Sequence, residues 1–139
     1  MLNYKQILYA TDLHETCKLT LKRVIGFAAK FDAKVTVIHI VKSTGTFAYT
    51  GGAMAEKLCE SIEQETKDKL DKLMTEVGLN SNNFHILTGP TATMILKYAD
   101  KEKVDAIIIN GHSHNFLSRM KSTEDCIVNN AECDVIVLR

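Results

Sequence analysis

Residues 104–110 read VDAIIIN, the most apolar strand candidate in the chain. Three successive isoleucines favour a strand, because side chains branched at Cβ pack well on a pleated surface. A run that is apolar at successive positions predicts a strand covered on both faces, as in a parallel sheet. The reading places Val104–Asn110 at the centre of such a sheet. Outward from it, short apolar runs alternate with longer amphipathic stretches, the pattern of a sheet with crossover helices.

On the N-terminal side, Lys5–Thr11 (KQILYAT) predicts the first strand and Lys34–Val41 (KVTVIHIV) the second. Between them, Cys17, Leu21, Val24, Ile25 and Ala28 recur at helical spacing, predicting a helix from Thr16 to Phe31. Lys42–Gly52 is loop-like in its Gly, Ser and Thr content, and Gly51-Gly52 suits flexibility before a helix. Ala53–Val77 predicts a long helix with Leu58, Ile62, Leu73 and Val77 buried. Its Glu63–Lys67, Glu65–Lys69 and Asp68–Lys72 pairs suit a solvated face, and Gly78 stops it. Asn83–Thr88 predicts a third strand, and Pro90 opens a helix running to Glu102. Beyond the central strand come a polar loop, Gly111–Lys121, and a helix at Ser122–Ala131 with a Ser122/Asp125 capping box. Asp134–Leu138 is the fifth strand. The expected architecture is one doubly wound, Rossmann-like α/β domain over residues 1–139. Its five-stranded parallel sheet takes the order 3-2-1-4-5, and right-handed crossovers put helices on both faces.

Composition narrows the function. Lys+Arg and Asp+Glu both number 17, so the formal net charge is zero. A general nucleic-acid binder needs a basic surplus to neutralise phosphates, so nucleic acid is not an expected partner. Neutrality also leaves self-association unopposed. The first residues carry no apolar core fit for a secretory signal, and no stretch reaches the ~20 apolar residues of a membrane span. The four cysteines, Cys17, Cys59, Cys126 and Cys133, form no C-x-x-C pair. They read as reduced structural thiols in a reducing compartment. The expectation is a cytoplasmic protein that does not engage membranes.

Ligands of open α/β sheets collect beyond the carboxyl ends of the strands, which here selects Ala10–Glu15, Val41–Gly52 and Asn110–Thr123. Asp12 can accept hydrogen bonds from a base or ribose, or cap the following helix. Gly111-His112-Ser113-His114 can meet an anion or a metal. The two histidines lack the cysteine or acidic partners of a zinc site, so no metal is expected. His39 and His85 lie on strands and read as surface or satisfied core residues. No G-x-x-x-x-G-K-[ST] run occurs, and ATDLHETC after the first strand lacks the glycines of a dinucleotide fingerprint. Ser113 is adjacent to its flanking histidines, a poor geometry for a nucleophile and base. No catalytic residue is assigned, and no cofactor is expected.

Taken together, YKQILYATDL, AKVTVIHIV, VDAIIINGH and DVIVLR resemble the universal stress protein family in order along the chain. The loop GHSHNFLSRMKST is similar to that of the universal stress protein A branch. ATP-binding relatives carry Gly, two residues, Gly, nine residues, then Gly and Ser or Thr, whose bare backbone admits phosphate. Aligned on Gly111, the second glycine falls on His114, the third on Glu124 and the hydroxyl position on Asp125. The resemblance assigns Asp12 and Val41 to positions that hold adenine and ribose in those relatives. It implies a base-binding half-site at Asp12 and Val41 that lacks its phosphate half, and a nucleotide-like ligand, if one binds, is expected at Asp12, Val41, Gly111, His112 and His114. It also implies a homodimer made through the last strand, Val135, Ile136, Val137 and Leu138, and phosphorylation on a residue such as Ser113, Ser118, Ser122 or Thr123. The leading expectation is a non-enzymatic stress-response regulator of the universal stress protein A type that works through protein contacts. The rivals are an ATP-binding switch or slow ATPase using Asp12, Val41 and Gly111, and a thiol- or metal-based sensor.

Overall fold

The computed structural model describes residues 2–13, 17–41, 53–111 and 120–139. Its elements run β1 (Gln6–Ala10), α1 (Cys17–Ala29), β2 (Lys34–Val41), α2 (Ala53–Val77), β3 (Phe84–Thr88), α3 (Thr91–Glu102), β4 (Ala106–Asn110), α4 (Met120–Asn130) and β5 (Asp134–Leu138). A short 3₁₀ turn at Ser81–Asn83, absent from the sequence reading, precedes β3. The five strands form one parallel sheet of order β3-β2-β1-β4-β5, the order expected. The centre belongs to β1, with β4 beside it and buried on both faces.

Register follows from a few anchors. The Asp105 carboxylate accepts from the backbone N–H groups of Lys5 (2.7 Å) and Gln6 (2.8 Å), tying the entry of β1 to the entry of β4. Asp105 N–H returns a bond to Gln6 O at 2.8 Å. With that end fixed, Ile7 pairs with Ala106 and Ala10 with Ile109. The period-two alternation of side chains then decides which core each residue enters. Tyr9, Val35, Val37, Ala106 and Ile108 pack under α1 and α2. Leu8, Ile38, Ile40, Ile107 and Ile109 pack under α3 and α4. Helices therefore cover both faces.

The long helix α2 departs from its expected buried face. Leu70, Leu73 and Met74 are buried, whereas Ile62 is 40% exposed. A 25-residue helix is about 37 Å long, roughly twice the ~17 Å of a five-residue strand, and its buried residues fall in its C-terminal half. Leu58 lies outside the described side chains. Of the expected ion pairs on this helix, Glu65–Lys69 forms at 3.3 Å, while Asp68 accepts from Gln64 instead. Gly78 ends α2 at φ +77°, and Leu79 N–H closes on Met74 O at 2.9 Å. A left-handed residue there is what a glycine stop provides.

Two helix starts also differ. Pro90 takes the capping position of α3, with Thr91 as the first helical residue. The last helix begins at Met120, ahead of Ser122, so the expected Ser122/Asp125 capping box is not its start.

Candidate functional site

The carboxyl ends of β1, β2 and β4 meet the first turns of α3 and α4 around a cavity of about 180 Å³. Beside β1 the sheet order reverses direction, and such a point leaves a crevice because the flanking crossovers lead to opposite faces. Ala10, Thr11 and Asp12 line it from β1, His39 and Ile40 from β2, and Ile109 and Asn110 from β4. Thr91 and Ile95 line it from α3, and Thr123, Glu124 and Ile127 from α4. The floor is largely isoleucine, continuous with the core under α3 and α4.

Thr11 holds the rim of this cavity in place. It is 5% exposed, and its N–H donates to Ile38 O at 2.9 Å. Its hydroxyl accepts from Leu13 N–H at 3.0 Å, and Leu13 adopts a positive φ of 59°. The Thr11 carbonyl meets His39 Nδ1 at 2.8 Å. A carbonyl only accepts, so Nδ1 carries the proton and the imidazole is held across β1 and β2. This satisfied histidine is one of the two readings open from sequence.

Asp12 stands exposed on the cavity wall, five residues ahead of Cys17, the first residue of α1. Residues 14–16 between them lie outside the described residues, and with them the expected helix-capping role of Asp12. Glu124 enters the same cavity from α4, and its Oε1 is buried without a hydrogen-bond partner among the described residues. Two carboxylates thus face a mainly apolar space. Lys and Arg are absent from its described lining.

The other expected positions fall differently. Val41 is half-buried at the end of β2 and lies off the cavity lining, where its neighbours His39 and Ile40 take part. Gly111 also lies off the lining. Its N–H donates to Leu138 O at 2.6 Å. A Cβ at this position would come within 3.0 Å of Val137 Cγ1 and 3.2 Å of Leu138 O. Close approach of β4 to β5 accounts for glycine here, because a backbone oxygen cannot move aside cheaply. His112 and His114, with Ser113, Ser118 and the loop Lys42–Gly52, lie outside the described residues. Thr123, the last residue of the expected Asn110–Thr123 segment, lines the cavity, as does Thr91, to which the sequence reading gave no ligand role. Thr91 carried a usable signal, being the residue after Gly89-Pro90 at a strand-to-helix turn.

Three of the four thiols are described, and the side chain of Cys59 lies outside the described residues. Cys17, Cys126 and Cys133 are half-buried and free, and burial pushes the Cys17 and Cys133 thiols up from their usual range. A raised thiol carries less thiolate and reacts more slowly. Among the described residues, no group of three His, Cys, Asp or Glu side chains is placed to hold a metal ion. No helix among them is long and apolar enough to cross a membrane.

A doubly wound α/β protein with a small-molecule cavity at its switch point is the class that this fold and site define. The universal stress protein family profile matches residues 3–139, and the chain belongs to that family. Universal stress protein A homolog 1 of Coxiella burnetii is 29% identical over 141 residues, covering 99% of this chain and 97% of the relative. Among solved structures, the universal stress protein UspA from Lactobacillus plantarum superimposes with a TM-score of 0.77 at 21% identity, with all of both chains covered. The universal stress protein from Archaeoglobus fulgidus in complex with dAMP gives a TM-score of 0.64 at 20% identity, covering 99% of this chain and 100% of that one. Membership supports a role in the stress response.

Proposed function

We propose that this chain is a non-enzymatic, cytoplasmic stress-response regulator of the universal stress protein A type, acting as a homodimer through protein contacts and not through ATP. The observation that carries the reading is Glu124. Its carboxylate occupies the cavity with one oxygen buried, at the position where the resemblance gives ATP-binding relatives a bare glycine. Placing a phosphate against a fixed carboxylate in a partly desolvated site costs several kcal/mol. Asp125 replaces the hydroxyl of the same motif and adds to the negative charge.

The dimer reading draws on the sheet edge. Among the described residues β5 pairs only with β4, which leaves its other side open. A short apolar edge of this kind invites strand addition. An ATP-binding switch is the second reading. The switch-point cavity with Asp12 on its wall favours it, as does the dAMP complex of the Archaeoglobus fulgidus relative.

Titration calorimetry with ATP and magnesium, on protein checked for co-purified nucleotide, tests the proposal. The expected result is no heat of binding and no bound nucleotide. Micromolar binding that weakens in Asp12→Ala would overturn it in favour of the nucleotide switch.

A further inference from the structure

We propose that the switch-point cavity binds a small organic cation, an apolar body of about benzene's size bearing an amidinium or ammonium group that donates to Glu124. The inference rests on the reading that the cavity does not serve the phosphates of ATP. Its first support is the unpartnered Glu124 Oε1, buried among the described residues. Buried acceptors in folded proteins nearly always have a donor, so an orphan marks the place of a missing one. A water molecule could supply one donor, but the cavity measures about 180 Å³, several times the ~30 Å³ that a water occupies. An apolar space of roughly 150 Å³ is enough to take benzene.

The wall chemistry selects the ligand class. Ile40, Ile95, Ile109 and Ile127 offer dispersion contacts to an apolar body. Glu124 supplies negative charge inside the cavity, Asp12 stands on its wall, and the described lining contains neither Lys nor Arg. The start of α3 at Thr91 also faces the cavity and favours anions. A helix terminus amounts to roughly half an elementary charge, which is less than the full charge of each carboxylate. A bare metal ion fits poorly, because four isoleucines provide no ligands and no three-residue ligating group occurs among the described residues. Organic cations satisfy both halves of the site, with the charged N–H groups at Glu124 and the body on the isoleucines.

The test compares benzamidine with benzamide, its neutral counterpart of nearly the same shape, by calorimetric titration of the unaltered protein. Benzamidine is expected to saturate a single site, with benzamide roughly ten-fold weaker or worse, the usual scale for a charge-assisted hydrogen bond. Glu124→Gln is expected to weaken benzamidine about ten-fold and to affect benzamide less. The inference is overturned if benzamidine gives no binding, if benzamide binds equally well, or if Glu124→Gln has no effect. Should the variant fail to fold, the two ligands on the unaltered protein decide alone. Silence from both benzamidine and ATP removes this inference and leaves the regulator reading intact, whereas binding of ATP removes the regulator reading itself.

Discussion

The Tyr9 hydroxyl lies at the top of β1, fully buried, 3.4 Å from Asn110 Oδ1. Burial pushes its pKa from the ordinary phenol value of 10.0 up to about 12, because the phenolate has lost its water. The folded value exceeds the unfolded one, so the native state holds this proton more tightly. Stability from the group is therefore full below pH 10 and is lost as pH rises towards about 12. The expected loss is about 2–3 kcal/mol in full, roughly half of it reached by pH 11. Chemical denaturation of Tyr9→Phe and the unaltered protein at pH 8 and pH 11 reads it as a difference in slope. Two parallel curves would show that Tyr9 does not titrate as described. Tyr4 and Tyr98 are also raised, Tyr4 chiefly by its hydrogen bond to Asp134 and Tyr98 by burial, which is why the variant comparison is needed.

At the scale of elements, β5 carries the assembly question. Gly111 N–H bonds Leu138 O, so Leu138 and, two residues back, Ile136 turn their backbone groups towards β4. Alternation along a strand then points the N–H groups of Val135 and Val137 at the open edge. Proline is tolerated on an edge strand but removes that donor. Val137→Pro is therefore expected to convert a dimer into a folded monomer, read by light scattering after size exclusion with circular dichroism as the check on folding. A variant that remains dimeric would place the interface elsewhere. The long helix α2 shows how a buried face escapes a sequence reading. Its Ile62 sits at helical spacing from Leu58, yet it is 40% exposed, while Leu70, Leu73 and Met74 are buried.

Across the whole molecule, stability concentrates in the middle of the sheet. Leu8, Tyr9, Ile107 and Ile108 are at most 1% exposed, whereas the residues of edge strand β3 are half-buried or exposed. Hydrogen exchange should therefore show amides of β1 and β4 opening only with global unfolding, and those of β3 opening earlier through local fluctuation. Equal protection in β3 and β1 would mean that the β3 edge is covered in solution. The fold itself was legible in residue order. Runs such as VDAIIIN and KVTVIHIV, spaced by helical segments, leave a parallel sheet as the main way to bury every apolar face. Glu124 was legible only as a substituted glycine. Nothing local in MKSTEDCIVNN states that its carboxylate enters a cavity beside Asp12, more than a hundred residues earlier. Sequence thus determined the elements, their order and the sheet, because periodicity and β-branching act between near neighbours. Tertiary structure alone decided that Gly111 serves strand packing, that Val41 stands aside, and that Glu124 faces an isoleucine-walled cavity, because each depends on contacts between segments distant in the chain.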